Sequence, residues 1–261
     1  MSYQLVILGS GNLATQLSLA LQDSGHNIMQ VYSPTPEHAT TLANKLGCQA
    51  VSTLSDVRTD ADAYIISVKD DAIKGLAESL CPDRTKAVFM HTAGSVPMEI
   101  FDTQAVHYGV LYPMQTFSKT RKVDFKEIPC FVEASDAETL TMIQTLAESI
   151  SDHVQEVDSS RRAKLHLAAV FAANLTNHCY RLAERILQEE EIDFRLFLPL
   201  IKEVAKKVTV MSPKDAQTGP MVRYDVSVMD KQLSLIHDER TRQIYRLMAD
   251  SIHDDATQHH L

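Results

Sequence analysis

The sequence predicts an α/β fold, a doubly wound and mainly parallel sheet, followed by an all-helical C-terminal domain. Two observations carry that prediction. Short apolar runs alternate with amphipathic segments over roughly the first 157 residues, and strand patterns then cease. Strands alternating with helices imply βαβ units with right-handed crossovers. The 261 residues suffice for two domains and a sizeable core. The division is expected between a sheet domain, residues 1–157, and a helical substrate or dimerisation domain, residues 158–261.

The apolar runs Leu5–Leu8, Ile28–Tyr32, Tyr64–Val68, Ala87–His91 and Val106–Leu111 read as strands, with later ones at Cys130–Glu133 and Val154–Val157. Helical periodicity falls between them at Leu13–Asp23, Glu37–Leu46, Ala72–Leu80 and Ala137–Ile150. Leu17 and Leu21 give the first helix its apolar face, and Ser24-Gly25 its stop. Beyond Asp158, Ser159-Ser160 cap a long helix through Leu165, Val170, Leu175, Leu182 and Ile186 towards Glu191. Further helices are expected at Arg195–Met211, Val226–His237 and Glu239–Ile252, with a frayed polar tail from Asp254 to Leu261. There are no internal repeats and no low-complexity linker.

The first strand runs straight into Gly9-Ser10-Gly11-Asn12-Leu13-Ala14. Strand, G-x-G-x-x-A turn and helix together form the fingerprint of a Rossmann-type dinucleotide site. Gly9 permits the tight turn, Gly11 lets the backbone approach a pyrophosphate, and Ala14 keeps helix close to strand. The helix start offers unpaired N–H groups to phosphate, and Ser10 and Asn12 add side-chain donors. A structural Gly-x-Gly turn without ligand is the competing reading. The second strand normally ends in an acidic residue that binds the ribose 2′-hydroxyl of NAD. Here that position is Ser33, with Thr35 two residues on. Hydroxyls accommodate a 2′-phosphate that a carboxylate would repel, so NADP is favoured over NAD. Thr35 also suits a helix N-cap with Pro36 at the first helical position.

Ligands of open α/β sheets sit beyond the carboxyl ends of the strands. The segment Ser67-Val68-Lys69-Asp70 occupies such an end, and Val68 and Lys69 are candidate cofactor contacts, with Asp70 read as a helix N-cap. His91-Thr92-Ala93-Gly94-Ser95 occupies the next. Thr92 and Gly94 are expected at the cofactor, and His91 and Ser95 at a substrate; the alternative is a turn that needs Gly94. Gln115 and Thr116 close another strand and can hydrogen-bond a substrate, while Tyr112 and Met114 suit packing equally well.

The long helix carries polar residues in an apolar, alanine-rich context: Lys164, His166, Asn174, Asn177 and His178. At about 100° per residue, with His166 at 0°, they fall between 0° and about 160°, on one face. Reduction of a carbonyl or imine needs a proton donor, which His or Lys supplies at neutral pH. Lys164, His166, Asn174 and His178 are therefore candidate catalytic residues in an interdomain cleft, against the alternative of a solvated face or satisfied core histidines. In the break Thr218-Gly219-Pro220, Arg223 either binds an anionic substrate group or pairs with Asp225.

A net charge of −9 argues against nucleic acid or an anionic membrane as partner. Four scattered cysteines, Cys48, Cys81, Cys130 and Cys179, form no C-x-x-C pair. They read as buried free thiols in a reducing compartment, so a cytoplasmic site is expected. No segment has a membrane helix's run of apolar residues, no leader precedes the first strand, and no metal site is expected.

On these motifs the chain resembles the 6-phosphogluconate dehydrogenase-like and pyrroline-carboxylate reductase-like superfamily. It is most similar to a bacterial branch of NADP oxidoreductases with a Rossmann-like N-terminal domain and a helical C-terminal domain of unassigned function. The motifs are Gly9 to Ala14, His91 to Ser95, Tyr112 to Thr116, His166 to His178, and Thr218 to Pro220 with Arg223. The resemblance spans essentially the whole chain. It implies NADP between the domains and a homodimer built on the C-terminal helices, and it supplies no substrate. Two departures stand out. Hydroxyacid dehydrogenases of the superfamily place a catalytic Lys four residues before an Asn, whereas Lys164 is followed at that spacing by Ala168. Prephenate dehydrogenases carry His-Pro-Met where this chain has Tyr112-Pro113-Met114. The expected function is NADP-dependent hydride transfer on a small carbonyl, imine or hydroxy-acid metabolite. The alternative is a non-catalytic NADP-binding or sensing protein with a dimerising helical half.

Overall fold

The computed structural model of the chain describes residues 2–257, which form two compact units that divide between Ala173 and Asn174. The strands of the first are β1 (Gln4–Leu8), β2 (Asn27–Tyr32), β3 (Gln49–Val51), β4 (Ala63–Ile66), β5 (Val88–His91), β6 (His107–Pro113), β7 (Cys130–Ala134) and β8 (Val154–Glu156). They build one eight-stranded sheet in the order β3-β2-β1-β4-β5-β6-β7-β8. Every pairing is parallel except β6 with β7. The exception has a physical cause: no helix crosses over between these two strands, and a chain returning by a loop comes back antiparallel. The doubly wound, mainly parallel sheet expected from the sequence is thus the fold. β3, three residues at the sheet edge, is too short to show periodicity and escaped that reading.

Helices α1 (Asn12–Asp23), α2 (Pro36–Leu46) and α4 (Ala137–Ile150) cover one face of the sheet, and α3 (Asp70–Leu80) the other. Successive strand residues serve the two layers alternately. Leu5 and Ile7 pack with Leu17, Leu21 and Ile143, while Val6 and Leu8 pack with Ile73, Leu76 and Phe101. A third cluster, Val110, Tyr112, Phe131 and Val157 with Leu165, lies under α5 (Ser159–Ala169).

The long helix differs from expectation in three respects. Its N-cap is Asp158, whose carboxylate accepts the Arg161 N–H at 2.8 Å, and Ser159 sits inside the first turn. A π-helical turn at Val170–Leu175 then interrupts it before α6 (Thr176–Glu189). Bonds from i to i+5 take in an extra residue per turn, so a 100° count cannot be carried from His166 to His178. The helix also stops at Glu189, two residues short of Glu191, which has a φ of 55°.

In the second unit follow α7 (Leu198–Lys207), α8 (Pro213–Ala216), α9 (Val226–Ser234) and α10 (Glu239–Thr257). The expected helix Arg195–Met211 is a 3-10 turn, Phe194–Phe197, continued as α7. Asp254 to Thr257 belong to α10 rather than to a frayed tail, because the helix runs on through them. The remainder of that expected tail, residues 258–261, lies outside the described residues. No helix among the described residues is long and apolar enough to cross a membrane.

Candidate functional site

The carboxyl ends of the parallel strands in the first unit open onto a cavity of about 1050 Å³. One end is the glycine turn. Gly9 has a φ of 126° and donates its N–H to the Tyr32 carbonyl at 2.8 Å. A Cβ there would lie 2.1 Å from the Ser67 carbonyl oxygen, so only glycine lets β1 turn this close to β4. Around Gly11, by contrast, a Cβ would meet nothing within 4 Å. Gly11 is the N-cap of α1, with no side-chain cap and no acidic residue in the first turn. Its N–H groups are therefore left to an external acceptor, and the helix dipole favours an anion there. These features fit a pyrophosphate.

Behind the turn, the Ser10 hydroxyl donates to that of Ser33 at 3.0 Å, and Ser33 is buried at the end of β2. Thr35 takes the N-cap position of α2 without a side-chain capping bond. Its hydroxyl has no hydrogen-bond partner among the described residues and lines the cavity, together with His38. No carboxylate lines this stretch, which is the electrostatic condition a 2′-phosphate requires.

Midway, Thr92 donates to Ser67 at 3.1 Å across β4 and β5. Lys69, rather than Asp70, is the N-cap residue of α3. Asp70 is the first helical residue and accepts a 2.5 Å hydrogen bond from the Ser95 hydroxyl, which explains why the expected cap is absent.

At the far end, His166 on α5 meets Gly94. A Cβ on Gly94 would fall 2.6 Å from His166 Nδ1 and 2.8 Å from its Cβ. The same Nδ1 lies 3.0 Å from the Tyr112 hydroxyl, and the two rings meet edge to face. Burial pushes the Tyr112 phenol pKa up, with the Arg162 charge opposing. α5 is anchored one turn earlier by Arg162, which is 1% exposed. Its guanidinium bonds to the Glu133 carboxylate and, at 2.6 Å, to the Val96 carbonyl. Ser159 donates to Glu133 at 2.8 Å and accepts the Met98 N–H at 2.9 Å. Helix, β7 and the 94–98 loop are thus tied at one buried point.

Every residue expected at the cofactor lines this cavity: Gly9 to Leu13, Ser33, Thr35, Val68, Lys69, Thr92 and Gly94. So do Ser95, Gln115 and His166. His91 and Thr116 do not. His91 is fully buried and stacks on Phe101; burial, then the Arg162 charge, lower its pKa to about 3, leaving it neutral. Thr116 is exposed and its N–H is bound by Gln115. Lys164 is exposed and outside the cavity lining, as the helical phase turns it away from His166. Asn174, His178 and Arg223 are exposed residues of the second unit. The suggested Arg223–Asp225 pair is absent among the described residues; Asp225 instead caps α9 by accepting the Val228 N–H. Tyr112 and His38 are cavity residues that the sequence did not single out as functional, although Tyr112 closes a strand at the same sheet end.

Fold and cavity together define a Rossmann-type dinucleotide-binding protein. Residues 4–90 match the family described as NADP oxidoreductase, coenzyme F420-dependent, and residues 128–252 match a domain of unknown function, DUF2520. A putative NADP oxidoreductase from Bacteroides fragilis is 44% identical, with 97% of this chain and 98% of that chain covered and a TM-score of 0.93. The chain belongs to this NADP oxidoreductase family. A protein from Thermotoga maritima shares the fold at 23% identity, covering 97% of this chain and all of that one, with a TM-score of 0.80. An imine reductase from Myxococcus stipitatus, solved with NADP+, does so at 17% identity over 96% of this chain and 92% of that one, with a TM-score of 0.61. Comparison with curated proteins gives no match.

Proposed function

We propose that the protein is an NADP-dependent oxidoreductase that moves a hydride to or from a small carbonyl, imine or hydroxy-acid metabolite. The observation that carries this reading is the pairing, within one cavity, of a glycine phosphate cradle at one end with a held imidazole, His166, at the other. When bound, NADP supplies the hydride chemistry. The chain's own residues do the rest. Gly9 to Leu13 bind pyrophosphate, and Ser33, Thr35 and His38 face the 2′-phosphate. His166 exchanges a proton with the substrate oxygen or nitrogen as charge develops there. Ser95 and Gln115 orient the substrate. Lys69 has no ion pair among the described residues and lines the cavity, which supports an anionic ligand.

The second unit is proposed to form a homodimer interface. Leu196, Val210 and Leu247 are each more than 70% exposed, an unusual load of solvated apolar surface for a monomer. Four free cysteines support work in the cytoplasm.

The test follows NADPH absorbance, its loss with a panel of carbonyls and imines and its gain from NADP+ with a panel of hydroxy acids. Turnover of one class, reduced about 10²–10⁴-fold in His166→Asn, is the expected result. NADPH binding without turnover of any class would overturn the catalytic reading. Sedimentation that gives a monomer at micromolar concentration would overturn the dimer.

A further inference from the structure

We infer that the Tyr112 hydroxyl is a positioning group that fixes the tautomer of His166, holding Nδ1 as an acceptor and leaving the ring proton on Nε2. The inference rests on the acid/base assignment of His166 above and adds which nitrogen does the work. Three observations carry it.

The first is steric. The Nδ1–Cγ–Cβ edge of His166 lies so close to Gly94 that a Cβ there would fall within 2.8 Å of all three atoms. That edge is therefore closed to substrate. The second is the hydrogen-bond inventory. The Tyr112 ring is 8% exposed, and its hydroxyl has one partner among the described residues, His166 Nδ1 at 3.0 Å. Were Nδ1 protonated, it would donate to the phenol oxygen, and the phenolic proton would have no acceptor among the described residues: Phe131, Val110 and Leu165 are apolar, and it would have to turn to the cavity that Tyr112 also lines. With the phenol donating, both groups are satisfied. A neutral imidazole carries one proton, which then sits on Nε2. The third is exposure of the other edge. His166 lines the cavity, and Nε2 has no hydrogen-bond partner among the described residues. The one free donor of the dyad is Nε2–H.

Burial raises the phenol's pKa and keeps it a donor at neutral pH. The Arg162–Glu133 tie, four residues before His166 on the same helix face, holds the backbone that makes this bond possible. The logic is that of an oriented histidine, in which the partner of one nitrogen decides the protonation of the other.

Long-range ¹H–¹⁵N NMR of the ¹⁵N-labelled full chain tests it, with His166 identified as the imidazole lost in His166→Asn. In the neutral ring, Nδ1 is expected at the unprotonated shift and Nε2 at the protonated one. In Tyr112→Phe the two shifts should converge as both tautomers populate, while the melting temperature and NADPH affinity hold. With a turnover substrate in hand, kcat should fall about 10–100-fold in Tyr112→Phe. A protonated Nδ1 in the wild type would overturn the inference, as would unchanged shifts in Tyr112→Phe. The wild-type spectrum alone decides the first point even if the variant misfolds. The expected shifts together with no turnover of any metabolite would instead defeat the acid/base reading and leave the tautomer lock standing.

Discussion

The two ends of the cavity are built by different means. At the glycine end, one continuous stretch, residues 9–13, provides the cradle, and its recognition groups are backbone N–H groups at a helix start. At the His166 end, side chains arrive from the loop after β5, from β6 and from α5, and they are held by a buried ion pair anchored on β7. The first end depends on what a glycine permits and the second on what several distant residues impose. Their sensitivities to mutation should therefore separate.

Gly9→Val tests the first end and should have the largest effect. A β-branched residue would need a φ of 126° and would overlap the Ser67 carbonyl. NADPH binding, followed by fluorescence titration, should be lost and the melting temperature should fall. Arg162→Met strikes the second end. It leaves the mostly buried Glu133 carboxylate without its cation and should cost about 3–5 kcal/mol in chemical unfolding. Residual folded protein should keep its NADPH affinity; a parallel loss of affinity would mean the two ends are not separable.

Gly94→Ala is subtler. Its Cβ would displace the near part of the His166 side chain. A shift of about 1 Å at a reacting group can cost about 10²-fold, so kcat should fall by up to that factor, and the melting temperature should fall too, because the overlap reaches the His166 Cβ on helix α5. Ser33→Asp returns to the glycine end. It replaces the hydroxyl that accepts from Ser10 with a carboxylate beside the proposed 2′-phosphate, so NADPH should bind about tenfold more weakly, a loss of about 1.4 kcal/mol, with no loss for NADH. Equal losses for both cofactors would place the 2′-phosphate elsewhere.

The smallest effect is one of slope. His91 stays neutral in the fold down to about pH 3, whereas the unfolded chain binds its proton near 6.5. As pH falls through that window the unfolded state takes up a proton that the native state refuses, so stability drops, and it levels off below about 3. Urea unfolding at a series of pH values should show a shallower decline below about pH 6.5 in His91→Asn, on top of a pH-independent loss from the smaller buried side chain.

The legibility of the two ends in the sequence follows the same division. Local signals marked the cradle: an apolar strand, two glycines and an amphipathic helix within one short stretch. Gly9 to Leu13 line the cavity for that reason, and Ser33, Thr35, Val68, Lys69, Thr92 and Gly94 do so because they follow the carboxyl ends of parallel strands. The other end was legible only in part. His166 stood out as a polar residue in an alanine-rich helix, but its companions did not follow the expected face. A π turn at Val170–Leu175 changes the helical phase, and no residue in that segment announces it. Tyr112 read equally well as packing, and it does pack against Phe131. Its bond to His166 joins residues 54 positions apart. His91, which sits in a polar loop by sequence, is turned into the core beside Phe101.

The sequence by itself therefore determined the class of fold, the strand-to-helix punctuation and the glycine turn that lines the cavity. All three rest on period, glycine and caps, which act within a few residues of one another. Only the tertiary structure decided which titratable groups meet: His166 with Tyr112 over Gly94, Arg162 with Glu133, and His91 away from the cavity. Such meetings depend on how helix α5 docks on the sheet, and docking sums many weak apolar contacts that no local pattern records.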